Sequence, residues 1–177
     1  MYEQFRLKAE GVGAEVHRVA DMAAAGEFVR NFMQKEGGAT VCASARLRGE
    51  LAKPDAAAPN GLSFDVSREA SAAALIGISD MEWGLADTGT LVADQTAVEE
   101  RLASTLPSIH IALITTDRIL ADKVALFSRI DPRSSRYIAF ITGPSRTADI
   151  ERVLTIGVHG PKRLVIICVD EPAGGAR

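Results

Sequence analysis

Two apolar runs constrain the fold of this 177-residue chain more than any other feature. Residues 110–115 read HIALIT and residues 164–169 read LVIICV. A strand that faces solvent on one side alternates apolar and polar residues, whereas a strand buried on both faces is apolar almost throughout. Both runs are also far shorter than the roughly 18 apolar residues of a membrane-spanning helix. They are therefore predicted to be interior strands of a parallel sheet.

Shorter patterns around these runs indicate that strands and helices alternate along the chain. Residues 14–19 alternate small or apolar with polar residues, as a half-buried strand does. Asp21 precedes apolar residues at helical spacing that end at Gly37-Gly38, which predicts a capped helix. Further strands are predicted at 40–43, 76–79, 89–93 and 137–142, a short helix or turn at 45–51, and a helix at 68–76. This order favours an α/β fold with an open, mainly parallel sheet flanked by helices.

Two more helical segments are predicted in the second half of the chain. Residues 80–85 are predicted to form a single helical turn. Asp117 is predicted to cap a helix whose apolar stripe is Leu120, Val124, Phe127 and Ile130. Ligands of open parallel sheets bind at the carboxyl ends of the strands, where strands lead into helices. The loops at 115–118 and 142–149 are therefore predicted to bind a ligand.

Composition and charge exclude several function classes. Apolar residues make up 47% and charged residues 24% of the chain, which is typical of a globular protein. The formal net charge of −3 argues against general nucleic-acid binding, which depends on a basic surface. The two cysteines, Cys42 and Cys168, form no CxxC pair. We therefore expect no iron–sulphur cluster, structural zinc site or disulphide framework on this chain.

Length and segment composition predict the domain organisation. One domain is expected over residues 1–170, with a flexible tail at 171–177. The clearest loop is residues 53–61, KPDAAAPNG. The first residues contain no apolar segment typical of a signal peptide, so a cytoplasmic location is expected.

The most informative segment for function is ITGPSRTADIE, residues 141–151. It follows a predicted strand and is predicted to open a helix that reaches residue 154. A helix amino terminus presents unpaired N–H groups that attract anions, and an arginine adds a planar fork of donors. One interpretation is an anion-binding loop formed by Ser145, Arg146 and Thr147, although Asp149 would repel an anion unless it faced away. The other is a well-capped helix with an exposed arginine.

A second polar segment is ADTGTLV, residues 86–92, immediately before a predicted strand. Asp87, Thr88 and Thr90 surround Gly89, which permits a positive φ or a close backbone approach. One interpretation is a turn that faces a ligand, with Asp87 as acid, base or nucleophile. The alternative is a turn whose side chains satisfy their own backbone.

The third segment is GVHGP, residues 157–161. His159 lies between glycines and is a candidate general base or ligand contact, although a histidine near a helix carboxyl end is favourable without any function. His110 is predicted to have a structural role, because it begins a buried strand. The three histidines lack metal-site spacing, so no metal site is expected on this chain.

Taken in order, ADTGTLV, RLASTLPSIHIALIT (residues 101–115), ITGPSRTADIE and GVHGPKRLVIICVD (residues 157–170) resemble one family. It is the lactate-utilisation domain family, most closely its LutC/YkgG branch, and the resemblance covers about residues 60–170. The resemblance implies the fold of the glucosamine-phosphate isomerase, ribose-phosphate isomerase and CoA-transferase group. It also implies that one pocket is lined by the shared motif residues Asp87, Thr88, Gly89, Thr90, Gly143, Pro144, Ser145, Arg146, Thr147, Asp149, His159, Gly160 and Pro161.

The resemblance further implies a role in bacterial use of L-lactate, beside partner subunits that carry iron–sulphur clusters and with them convert lactate to pyruvate. This chain would be a subunit without a cluster of its own. A second hypothesis is a stand-alone enzyme that binds a small carboxylate, sugar phosphate or acyl-CoA at the GPSRT loop. There Arg146 would bind the anion while Asp87 or His159 transferred protons. A third is a ligand-sensing or scaffolding module.

Overall fold

A computed structural model describes residues 1–53, 61–148 and 154–170. Its α-helices are Tyr2–Gly11 (α1), Met22–Glu36 (α2), Ala45–Leu51 (α3), Arg68–Ala73 (α4), Val98–Thr105 (α5) and Lys123–Phe127 (α6). Its strands are Glu15–Val19 (β1), Thr40–Cys42 (β2), Leu62–Ser63 (β3), Ile76–Asp80 (β4), Trp83–Leu85 (β5), Thr90–Asp94 (β6), Ile109–Thr115 (β7), Ile119–Leu120 (β8), Ile138–Ile141 (β9), Arg146–Ala148 (β10), Leu154–Ile156 (β11) and Arg163–Val169 (β12). Short 3₁₀ turns lie at Thr116–Arg118 and Pro132–Ser134.

The main sheet has six strands in the order β1-β12-β7-β4-β2-β3. Every neighbouring pair in it is parallel. The two apolar runs are its adjacent inner strands β12 and β7, and all of β7 and all of β12 after Arg163 are buried. The predicted α/β fold with a parallel sheet and flanking helices is therefore confirmed, and these two strands are its core.

Each face of the main sheet packs against a different layer. Ile111, Leu113 and Ile167 pack with buried residues of α2 and α3. Ala112 and Ile166 face the opposite way, where they pack with α1 and with strand β6. Alternate residues of one strand point to opposite faces, so a strand between two apolar layers must be apolar throughout.

A second sheet, of order β8-β5-β6-β9, packs beside the main one. It contradicts two predictions. Residues 80–85 are not a helical turn, because Trp83–Leu85 pairs antiparallel with β6. The strand predicted at 137–142 exists as β9, but it pairs antiparallel with β6 instead of joining the parallel sheet.

The long helix predicted after Asp117 is also wrong. Asp117 lies in a 3₁₀ turn, and Asp122 caps the five-residue α6 by accepting a 2.8 Å hydrogen bond from the Ala125 amide. Leu120 is buried in strand β8, whereas the Val124 side chain is 79% exposed. Leu120 and Val124 therefore belong to two short elements, β8 and α6, although their spacing in the sequence is that of one helical face.

A helix was predicted to open after residue 145, but residues 146–148 and 154–156 form strands β10 and β11, which pair antiparallel. Residues 149–153, which include Asp149, lie outside the described part of the chain. The predicted loop at 53–61 and the predicted tail at 171–177 also fall largely or wholly outside it, and the domain boundaries stay a prediction.

Helix capping follows the sequence closely elsewhere. Asp21, Ser44 and Ser67 each accept a hydrogen bond from the amide three residues later, at the start of α2, α3 and α4. Such caps satisfy N–H groups that have no partner within the helix. The amphipathic α1 was not predicted, because only Phe5 and Ala9 of its ten residues are buried. None of the described helices is both long and apolar enough to cross a membrane.

Gly77 permits the close approach of α5 to strand β4. A Cβ at position 77 would overlap the Ala103 carbonyl oxygen and lie 2.7 Å from Pro107 Cγ. Because an added methyl group would displace helix backbone, we expect Gly77→Ala to lower the free energy of unfolding by about 3 kcal/mol. Urea denaturation measures the change. The control is Gly49→Ala at an exposed position of helix α3, where nothing lies within 4 Å and a gain of up to about 1 kcal/mol is expected. Equal effects of the two substitutions would contradict this packing.

Candidate functional site

A cleft of about 480 Å³ lies at the amino ends of β7 and β12, beside strand β9. Its floor includes His110 and Leu164, each the second residue of its strand. The predicted residues that line it are Gly143, Pro144, Ser145, Arg146, His159, Gly160 and Pro161. The structure thus brings the GPSRT and GVHGP segments together. It does so at the end of the parallel strands opposite to the one that the sequence predicted.

Ser145 joins these two segments. Its backbone N–H donates to the Pro161 carbonyl at 2.9 Å, and its carbonyl accepts from the Gly157 N–H at 2.9 Å. Its hydroxyl donates to the His159 carbonyl at 3.2 Å. These three hydrogen bonds of Ser145 hold the two loops together as one wall of the cleft. The side chains of the two loops therefore have fixed positions relative to each other.

Arg146 does not lie at a helix amino terminus, because it begins strand β10. Its Nη2 donates to the Val12 carbonyl at 2.6 Å, across the turn that links α1 to β1. The anion-binding argument from a helix end therefore does not apply here. What remains is an exposed guanidinium at the rim of the cleft, with one donor used to hold the α1–β1 turn.

The Asp87–Thr90 segment leads from β5 into β6, and none of its residues lines the cleft. Gly89 has a φ of +67°, and a Cβ there would overlap the Ala9 backbone nitrogen of α1. Both interpretations of this glycine, positive φ and close approach, are therefore confirmed.

Hydroxyl groups connect this turn to the cleft. Thr90 Oγ1 lies 2.9 Å from Thr142 Oγ1 and donates to Thr88 Oγ1 at 2.8 Å. Thr88 Oγ1 in turn donates to Asp87 Oδ1 at 3.1 Å. Thr142 lines the cleft, but Asp87, Thr88, Gly89, Thr90 and Thr147 do not. The turn thus satisfies its own polar groups, and only Thr90 reaches a residue of the cleft wall.

The floor of the cleft contains two buried polar pairs that the sequence analysis did not identify. His110 Nε2 shares a 2.8 Å hydrogen bond with Ser79 Oγ of strand β4. Gln95 Nε2 donates to Ser104 Oγ at 2.9 Å. His110, Gln95 and Ser104 all line the cleft. The signal available in sequence was Ser79 and His110, polar residues near the ends of buried strands, but their pairing joins strands that lie 31 residues apart.

Burial lowers the pKa of His110 to about 4, because the charged imidazolium loses its hydration. The imidazole is therefore neutral at physiological pH and serves as a hydrogen-bonding group. With Gln95, Ser104 and the loop backbone it gives the cleft an uncharged polar floor below the Arg146 guanidinium. Such an arrangement suits a small polar molecule. Among the described residues, no three His, Cys, Asp or Glu side chains are placed to hold a metal ion.

The His110 pKa predicts a pH dependence of stability. Between pH 6.5 and about 4 the unfolded chain takes up a proton at His110 that the folded chain does not, so acid destabilises the fold. We expect His110→Gln to remove a loss of up to about 3 kcal/mol over this range. Urea unfolding at several pH values measures the slope, and the exposed His159→Gln is the matched control. An unchanged slope in His110→Gln would contradict the assignment.

Known proteins resemble this chain both in fold and in sequence. A solved DUF162 family protein from Deinococcus radiodurans superposes with a TM-score of 0.59 over 95% of both chains, at 21% sequence identity. This likeness shows a shared fold. The sequence itself matches the LUD domain over residues 2–169. The chain belongs to the LUD domain family.

Relatives with curated sequences lie in the branch that the motifs indicated. Lactate utilization protein C from an Exiguobacterium species is 34% identical over 113 residues, which are 60% of this chain and 49% of that protein. The uncharacterized protein YkgG of Escherichia coli is 32% identical over 104 residues, 55% of this chain and 45% of that protein. The predicted resemblance is confirmed, and the chain spans about half the length of these relatives.

Proposed function

We propose that this chain acts in L-lactate utilisation as a LutC-like subunit without a cluster of its own. In this proposal it works with iron–sulphur partner subunits that oxidise lactate to pyruvate. The observation that carries the proposal is the similarity to lactate utilization protein C, which comes with the LUD domain match across nearly the whole chain. Oxidation of lactate to pyruvate releases two electrons, which redox centres on the partner subunits would accept.

The part of this chain would be to bind and orient a small ligand in the cleft at the amino ends of β7 and β12. Several observations support that part. The cleft volume of about 480 Å³ falls within the usual range for small-molecule sites. Its wall is fixed by the three hydrogen bonds of Ser145, and its floor is polar but uncharged. The candidate ligand contacts are Ser145, Arg146 and His159, with Gly143 and Gly160 as backbone positions.

The alternative is a stand-alone enzyme that takes a small carboxylate, sugar phosphate or acyl-CoA at the same GPSRT loop. The Arg146 guanidinium at the rim of a formed cleft favours it, because an arginine fork binds carboxylate and phosphate groups. His159 would then be the candidate for proton transfer, since it lines the cleft and Asp87 does not. The two proposals differ in whether the purified chain acts without partners.

A deletion and capture experiment tests the proposal. The gene is deleted in the native bacterium, and a tagged copy is returned to cells grown on L-lactate or on glucose. We expect deletion to stop growth on L-lactate alone, and the tagged chain to capture iron–sulphur proteins identified by mass spectrometry. Growth of the deletion strain on L-lactate would contradict the proposal. Capture of no partner, together with activity of the purified chain, would favour the stand-alone enzyme.

Arg146→Gln separates a ligand-binding subunit from a scaffold. We expect captured complexes that carry it to oxidise lactate about tenfold more slowly, because a charge-assisted contact to the ligand is lost. Lactate-dependent dye reduction measures the rate. The matched control is Arg133→Gln, an exposed arginine of the Pro132–Ser134 turn paired with Asp131. Capture and rate both unchanged in Arg146→Gln would identify a scaffold.

A further inference from the structure

The outer strand β9 of the second sheet has an unpaired edge. Among the described strands it pairs only with β6, and the Gln95 N–H donates to the Tyr137 carbonyl at 2.9 Å next to this ladder. Backbone groups of an antiparallel strand point alternately toward its partner and away from it. Ala139 therefore directs its backbone groups to β6, as Tyr137 does, whereas Ile138 and Phe140 direct theirs outward. No described residue forms a hydrogen bond with those outward N–H and C=O groups.

The composition of β9 leaves this edge open to another chain. Outer strands present unpaired backbone groups, and proteins protect them with charged side chains or by making them very short. Strand β1 carries Glu15 and Arg18, and the outer strands β3 and β8 have two residues each. Strand β9 has four residues, all at least partly exposed, and residues 137–142 contain no charge and no proline. Of the outer strands that the structure describes in the two larger sheets, β9 is thus the one suited to further pairing.

The cleft extends along this edge. Every residue of β9 lines it, together with Tyr137 before the strand and Thr142 after it. The described lining includes Arg146 but no aspartate or glutamate. The Phe140 ring is 41% exposed, and its centre lies 6.5 Å from that of the exposed Phe127 ring. A strand added to β9 would therefore lie along one side of the cleft and would meet an apolar surface at these rings.

Two cations lie beside the edge. The Arg101 guanidinium carbon is 4.9 Å from the centre of the Tyr137 ring, and Lys123 Nζ is 5.6 Å from the centre of the Phe140 ring. Neither cation forms a salt bridge with a described residue. Asp94 lies on β6, one strand further from the edge. A segment with acidic side chains is therefore complementary in charge to this edge.

A second copy of this chain fits the edge less well. Two β9 edges that paired antiparallel about Ala139 would place Ile138 of one copy opposite Phe140 of the other. The Lys123 of one copy would then face the Arg101 of the other across the new pair of strands. Like charges in such positions are destabilising, so the charges favour a different protein as the occupant.

We propose that the edge of β9 binds an extended acidic segment of a partner protein, which adds to the second sheet as a further strand. The backbone of that segment pairs with the outward groups of Ile138 and Phe140. Its acidic side chains pair with Arg101 and Lys123, and its apolar side chains pack on the rings of Phe140 and Phe127. The assignment of the segment to a partner subunit rests on the proposed function, whereas its chemistry rests on the edge itself.

Fluorescence anisotropy of the purified full chain tests the edge with a labelled peptide of Glu-Val-Thr repeated three times. A period of three places glutamates on both faces of a strand, so both cations are probed. We expect this peptide to bind about tenfold more tightly than the matching Lys-Val-Thr peptide, with an affinity that falls as salt is raised. The acidic peptide with its five central amides N-methylated cannot donate to β9, and we expect it to bind about tenfold more weakly.

Phe140→Pro isolates the outward N–H group of the strand. Phe140→Ala is the matched control, because it removes the same ring but keeps that N–H. Proline is tolerated where the N–H of an edge strand faces solvent, so we expect similar melting temperatures for the two variants. Phe140→Pro should bind the acidic peptide about tenfold more weakly than Phe140→Ala, because it lacks one backbone hydrogen bond.

Arg101→Gln and Lys123→Gln test the charges and leave the strand itself unchanged, so they are informative even if Phe140→Pro does not fold. Each should weaken binding of the acidic peptide about threefold, because each removes one exposed ion pair with it. Lys8→Gln, at an exposed position of α1, is the matched control and should bind the peptide as the wild type does.

The proposal is overturned if the acidic peptide does not bind, or if the basic or the methylated peptide binds equally well. Equal affinities of Phe140→Pro and Phe140→Ala, or wild-type affinity in both charge variants, would also overturn it. A dimer in sedimentation equilibrium that Phe140→Pro abolishes and Phe140→Ala keeps would assign the edge to a second copy instead.

The growth and capture experiment fails or succeeds independently of this test. A chain that binds no acidic peptide can still be a captured subunit that is needed for growth on L-lactate, and only the inference about the edge would then be lost. Conversely, peptide binding without a growth defect would leave the edge site standing and the proposed function refuted.

Discussion

The structure depends on the burial of two adjacent parallel strands between two apolar layers. β7 and β12 pair in register from Arg163↔Ile109 to Val169↔Thr115, and both faces of the pair are covered. Burial of this much apolar surface is the main stabilising contribution in a domain of this size. The other four strands of the main sheet extend this pair outward, and helices α1 and α2 lie on its opposite faces.

The central pair also determines where polar groups can lie. Side chains in the middle of β7 and β12 have no access to water, so polar residues concentrate where the strands begin and end. At the amino end His110 pairs with Ser79 on the floor of the first cleft. At the carboxyl end Asp80 pairs with Ser44 and Arg46. Polar groups thus lie at both ends of the central strands, and the motif segments GPSRT and GVHGP line the cleft at the amino end.

The second sheet explains why the motif segments are close together although they are far apart in sequence. Thr90 on β6 contacts Thr142 at the end of β9, and the loop after β9 is fixed by Ser145 to the loop before β12. Arg146 then ties this loop to the turn before β1. The hydrogen bonds of the motif residues therefore hold the second sheet against the main sheet. The local sequence patterns, which indicated helix caps and turns, did not predict this structural role.

Local patterns predicted the elements whose signal is local. The apolar runs predicted β7 and β12, and Asp21 with Gly37-Gly38 predicted the bounds of α2. The errors arose where a local pattern had two solutions. The spacing of Leu120 and Val124 fits a helical stripe, yet Leu120 is buried in β8 and Val124 is exposed. Strand β10 pairs with β11. Strand pairing depends on cross-strand side-chain contacts more than on the strand propensity of the individual residues.

The sequence by itself determined the α/β class, the two buried strands, helix α2 and the family motifs, because hydrophobic periodicity and capping act over a few residues. Only the tertiary structure decided that the strand at 138–141 joins a second sheet and that Arg146 lies in a hairpin. It also brought Ser79 to His110, and Ser44 and Arg46 to Asp80. These contacts join residues on different elements, and their geometry exists only once the two sheets have packed.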